Sequence, residues 1–88
     1  MVKMYVRHTV ADFAKWKVVF EEFEPFRKQQ LGSSGSHIFQ NNANANEVLV
    51  ITDWDKKEQG IKFGESPELK DAMQRAGVLG KPEINFAS

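Results

Sequence analysis

What constrains this chain most is the order in which its hydrophobic periods change. Residues 2–8 alternate, with Val2, Met4, Val6 and His8 set against Lys3, Tyr5 and Arg7, the period of two of a strand with one apolar face. A helical period follows: Phe13, Trp16, Phe20 and Phe23 are spaced 3, 4 and 3 apart, and Val19 and Phe26 widen the stripe. Two strand-like runs at 36–41 and 47–54, a second helical region and a final alternation through Ile84 and Phe86 complete the chain. This β-α-β-β-α-β order predicts an α+β, ferredoxin-like unit, a four-stranded antiparallel sheet with its helices on one face. The other face of such a sheet needs cover, and a second copy of the chain is the obvious supply, so a homodimer is expected.

Local signals divide these elements. Thr9 or Asp12 can cap the first helix, and Pro25 predicts a kink or break between Glu21 and Pro25 because it removes a donor and crowds the preceding turn. The stretch from Gly32 to Ser36 precedes a strand, so it reads as a loop; a phosphate cradle needs a following helix N-terminus. The Asn-rich run at 42–46 reads as a hairpin turn, since Asn tolerates left-handed angles. Val48, Leu49, Val50 and Ile51 are apolar at consecutive positions, which predicts a third strand buried on both faces. Asp55 with Glu58 has the spacing of a capping box, and Ser66 with Pro67 restarts a helix. Gly77 suits the left-handed residue beyond that helix, and Pro82 is expected to open a last strand over 83–87.

Composition narrows the function classes. A chain of 88 residues is expected to form one domain, 1–88, of limited core. Lys and Arg total 12 and Asp and Glu total 12, so no net field draws in nucleic acid or an anionic membrane. There is no Cys, hence no disulfide or thiolate chemistry, and no apolar run long enough to span a bilayer. A cytoplasmic protein is the simplest expectation.

Several phrases carry a resemblance: Val10-Ala11-Asp12-Phe13-Ala14-Lys15-Trp16-Lys17, Glu47-Val48 leading to Thr52-Asp53-Trp54-Asp55, Ser66-Pro67-Glu68-Leu69 with Met73, and Gly80-Lys81-Pro82-Glu83-Ile84. Over nearly its whole length the chain resembles a small branch of the dimeric α/β-barrel superfamily that contains the antibiotic-biosynthesis monooxygenases. The resemblance implies two sheets facing each other as a barrel with the helices outside. It also implies an activity among cofactorless oxygenation of ring compounds, haem degradation, cyclisation or isomerisation, or effector binding. Haem-degrading members resemble one another in a Trp and a His on the second helix; the matching positions here hold Phe63 and Met73, which disfavours that chemistry.

Among candidate site residues His8 comes first. It ends the alternation on the side of Met4 and Val6, where a neutral imidazole can act as general base near neutral pH; the plainer reading is a hydrogen-bonded His in the core wall. Trp16, Trp54 and Phe63, with Phe20 and Phe86, can line an aromatic pocket or simply fill the core. Tyr5 and Arg7 point away from the helices, toward a barrel interior or partner, where Arg7 needs a carboxylate such as Asp53 or Glu83, or an anionic ligand. His37 reads as an exposed or dimer-edge residue. With 28 residues between the two His and no close carboxylate spacing, no metal site is encoded, and no cofactor motif is present. Two functions fit: a cofactor-independent monooxygenase, cyclase or isomerase acting on a small apolar ring compound, or a non-catalytic dimeric module that binds a small molecule or serves a structural role.

Overall fold

The alternation that opens the chain runs two residues further than predicted, to Val10, because Val10 is as buried as Met4 and continues the apolar side. The computed structural model describes residues 2–30 and 32–88. Strands β1 (Val2–Val10), β2 (Gly35–Asn41), β3 (Asn44–Trp54) and β4 (Val78–Ala87) form one antiparallel sheet in the order β2-β3-β1-β4. Helices α1 (Phe13–Glu22), α2 (Lys57–Glu65) and α3 (Pro67–Ala76) pack over one face, which is the βαββαβ arrangement expected.

Asp12, rather than Thr9, caps α1, its carboxylate accepting from the N–H groups of Ala14 at 2.9 Å and Lys15 at 3.3 Å. The helix stops at Glu22, and beyond Phe23 and Pro25 the backbone relaxes into a π-helical turn, Phe26–Gln30. Pro25 accounts for the break, since its nitrogen has no hydrogen to extend the ladder.

Other boundaries differ from the sequence reading as well, β2 starting at Gly35 rather than Ser36. The hairpin turn is tighter than 42–46: β3 begins at Asn44, and no non-glycine described residue has a positive φ. The Asn side chains act instead by accepting backbone hydrogen bonds two residues on, Asn41 from Ala43 at 2.7 Å and Asn44 from Asn46 at 3.0 Å. The cap of α2 falls one residue later than Asp55: the Gln59 side chain accepts from the Lys56 N–H at 3.0 Å. Strand β4 begins at Val78, not after Pro82. Pro82 is accommodated because β4 is an edge strand, where a missing donor leaves no neighbour unpaired.

Ser66 and Gly77 behave as predicted. The Ser66 hydroxyl accepts from the Leu69 N–H at 3.2 Å, and Gly77 closes α3 at φ +76°, its carbonyl accepting from the Ala11 N–H at 2.9 Å. The core lies between sheet and helices, with Met4, Val48 and Trp54 wholly buried. Each such side chain stabilises the fold by about 1.5–3 kcal/mol relative to exposure. The opposite sheet face is bare in the single chain. Val48 and Val50 are buried on the helix side, but Leu49 and Ile51 are half-buried on the other, and Phe39 beside Leu49 is 52% exposed.

Candidate functional site

Between the sheet and the aromatic side of α1 lies a half-open cavity of about 60 Å³. At about 10–15 Å³ per water-sized position this is room for roughly four to six such groups, less than the roughly 150 Å³ that holds a benzene ring, so a ring bound here extends into the open mouth of the cavity. Its floor comes from the helix-facing residues of β1 and β3, including Met4, His8 and Thr52; Trp16 and Phe20 form one wall, and Leu69 and Met73 of α3 another. The stripe predicted from spacing forms that first wall. Trp16 stacks between Phe13 and Phe20, with centroids 5.7 and 5.0 Å away and rings inclined by 29° and 21°.

His8 stands on the floor of this apolar space. The β1 pleat sends it to the same side as Met4 and Val6, and on β3 it lies opposite Val48. On the β4 side the register slips: Arg7 pairs with Glu83 and Thr9 with Leu79, leaving His8 opposite an irregular stretch that contains Gly80 at φ +73°. The imidazole is 7% exposed and lies 5.5 Å from the Trp16 ring at 54°. Neither ring nitrogen has a hydrogen-bond partner among the described residues. Burial pushes its pKa below the ordinary 6.5, so the ring is neutral at neutral pH, with one nitrogen free to accept a proton and the other to donate a hydrogen bond.

Two other polar groups meet the cavity, and sequence reasoning singled out neither. The Thr52 hydroxyl accepts from the Trp54 indole N–H at 2.8 Å. Arg27 is 2% exposed; its guanidinium carbon lies 3.8 Å from the centroid of the Phe20 ring, and Nη1 donates to the Phe20 carbonyl at 3.0 Å. Burial pulls its pKa down to about 10, opposed by Glu24, so it remains charged at neutral pH. The signal was in the spacing, since Arg27 falls four residues after Phe23 and seven after Phe20, in line with the aromatic stripe.

The remaining predicted residues divide. Trp16 and Phe63 line the cavity together with His8. Trp54 does not: it is wholly buried beneath Phe63, ring centroids 5.3 Å apart, as part of the core. Tyr5 and Arg7 lie on the opposite sheet face, away from the cavity, as their alternation required. Arg7 does not pair with Asp53 or form its ion pair with Glu83. It reaches diagonally to Glu47 on β3, with Nε donating to Oε1 at 2.6 Å, while Asp53 pairs with Lys3. His37 is exposed on β2. Among the described residues no group of three or more His, Asp or Glu side chains is placed to hold a metal, and no helix is long and apolar enough to cross a membrane.

No family model matches the sequence, and no curated protein is similar to it in sequence. Solved structures do match in shape. A Bordetella bronchiseptica protein described as an antibiotic biosynthesis monooxygenase superposes with a TM-score of 0.84 over 99% of this chain and 94% of its own, at 11% identity. SnoaB of Streptomyces nogalater, a cofactor-independent oxygenase, superposes with a TM-score of 0.78 over 99% of this chain and 90% of its own, at 18% identity. A conserved protein of Methanosarcina mazei gives a TM-score of 0.76 over 98% and 89%, at 11% identity. At such identities the likeness speaks for architecture, and the chain has the ferredoxin-like fold of the antibiotic biosynthesis monooxygenase-like proteins.

Proposed function

We propose that this protein handles a small, mostly apolar ring compound in the cavity between sheet and helices, and that His8 withdraws a proton from a phenolic oxygen or an activated ring carbon. The observation that carries this reading is a buried, neutral imidazole with neither nitrogen partnered among the described residues, on the floor of an apolar cavity. An orphaned buried polar group costs stability, and natural cores rarely retain one without a use. A base held neutral near pH 7 in a water-poor site suits proton abstraction. Trp16 and Phe63 supply flat apolar walls for the ring. Oxygenations without a cofactor, cyclisations and isomerisations that run through a carbanion or enolate begin with such a step, and the fold shared with SnoaB favours this group of reactions. The working form we propose is a homodimer that covers the bare sheet face around Tyr5, Leu49 and Ile51.

The test is a panel of small phenols and enolisable ring ketones incubated with the protein in air and under argon, with products read by mass spectrometry and binding by tryptophan fluorescence. Turnover that disappears in His8→Gln while binding persists is the expected result. Turnover unchanged by that substitution would remove His8 from the chemistry, and binding without turnover of any compound would make the protein a carrier.

A further inference from the structure

Arg27 is the charged group that the proton-abstraction step leaves unused. Its side chain is almost wholly buried, it faces the same apolar cavity as His8, and it forms no ion pair among the described residues. The nearest acidic influence is Glu24, which is itself paired with Lys28 at 2.7 Å. Among the described residues the guanidinium has one side-chain hydrogen bond and one aromatic contact, and no counter-ion. One N–H goes to the Phe20 carbonyl, which it shares with the Phe23 N–H at the end of α1, and the Phe20 ring lies under the cationic plane. A guanidinium offers five N–H donors in a planar fork. In a cavity whose other polar groups are the uncharged His8 and Thr52, the missing complement is an anionic oxygen, which the fork matches bidentately when it belongs to a carboxylate.

Resting on the reading that this cavity takes a small ring compound, we infer that its ligand is a monoanion: a ring bearing a carboxylate, or an oxygen that ionises in the site, bound with its anionic end on Arg27 and its ring against Trp16 and Phe20. A neutral ring leaves the buried charge without a counter-ion, whereas an anion supplies one, so charge rather than shape alone selects the ligand. The arrangement also divides the labour between the two polar residues. Arg27 fixes the charged end, and His8, elsewhere on the cavity wall and uncharged, meets the ring or its substituent. A proton withdrawn by His8 would add negative charge to a ligand already held beside a cation that stabilises it.

The test compares benzoate with benzamide, which has the same shape and no charge, by titration calorimetry and by amide chemical-shift changes at residues 8, 16 and 27. Wild-type protein is expected to bind benzoate at least about tenfold more tightly than benzamide. Arg27→Met should erase that preference without abolishing benzamide binding, and Arg27→Lys, which keeps the charge but not the fork, should retain part of it. Equal binding of the two probes by wild-type protein, or a preference for benzamide, overturns the inference while leaving the ring-binding reading intact. Failure of wild-type protein to bind either probe overturns both. If Arg27→Met does not fold, the wild-type comparison and Arg27→Lys still decide.

Discussion

The Trp54 indole N–H donates to the hydroxyl of Thr52 at 2.8 Å, and both residues are buried on the same side of β3. Two-residue spacing along a strand brings them together, and the bond lets the larger side chain sit wholly inside the core. Thr52→Val keeps the shape but strands the indole donor, so it should cost about 1–3 kcal/mol. Urea unfolding followed by tryptophan fluorescence measures this. A loss below about 0.5 kcal/mol would show that the indole finds another acceptor.

His8 makes stability depend on pH. Burial lowers its pKa from the ordinary 6.5, so on unfolding the ring takes up a proton more readily than it does in the fold. Between the folded value and 6.5 the unfolded chain binds more protons, and stability rises with pH across that window. The His8 contribution is thus fully present above the unfolded pKa, falls as pH drops below it, and levels off below the folded one. Urea midpoints from about pH 7 to about pH 5 should decline more steeply for wild-type protein than for His8→Phe. Parallel slopes would place the ring in contact with water.

Gly60 lies where α2 crosses β4. A Cβ built there would meet the Phe86 ring at 2.7 Å and the Met4 sulfur at 3.5 Å. Gly60→Ala gains about 1 kcal/mol of helix propensity but overpacks a buried contact at about 1–3 kcal/mol. A net fall in Tm is expected, and Phe86→Leu in the same chain should recover part of it. A higher Tm for the single variant would show that the ring swings clear.

On the bare face of the sheet, Ile51 lies between Tyr5 of β1 and His37 of β2. If a second copy covers this face, light scattering should give twice the 10.0 kDa of one chain, and Ile51→Glu, which places an unpaired charge in the interface, should halve the mass. A wild-type mass of one chain would remove the homodimer.

Sequence periodicity revealed the architecture because the apolar residues repeat cleanly: the two-residue period of β1 and the aromatic stripe of α1 both persist in the structure. Capping chemistry at Asp12, Ser66 and Gly77 was equally legible, since each side chain or backbone angle does the work its type favours. What misled was context. Pro82 and Gly80 look like a loop until β4 is known to be an edge strand, and Trp54 looks like a pocket residue until its donor is seen to have an internal partner. His8 could be placed on the correct face, but its lack of any partner depends on what surrounds it in space. Arg27 was hidden by its charge. A basic residue near a helix end is usually solvated, and only the turn after Pro25 shows this one folded back over Phe20.

The irregular stretch of β4 beside His8 has a further effect at the rim of the molecule. Gly80 adopts a left-handed angle, and Pro82 carries no amide hydrogen, so the outer edge of β4 cannot offer an unbroken row of donors and acceptors to a neighbouring strand. The β2 edge has no proline. The two flanks of the sheet are therefore unequal: one resists being zipped into a longer ribbon along its middle, while the other is irregular only at its hairpin end, between Gln40 and Asn41. Stacking of chains edge to edge into a fibre, which needs both flanks, is opposed by the same irregularity that leaves His8 without an opposite residue on β4.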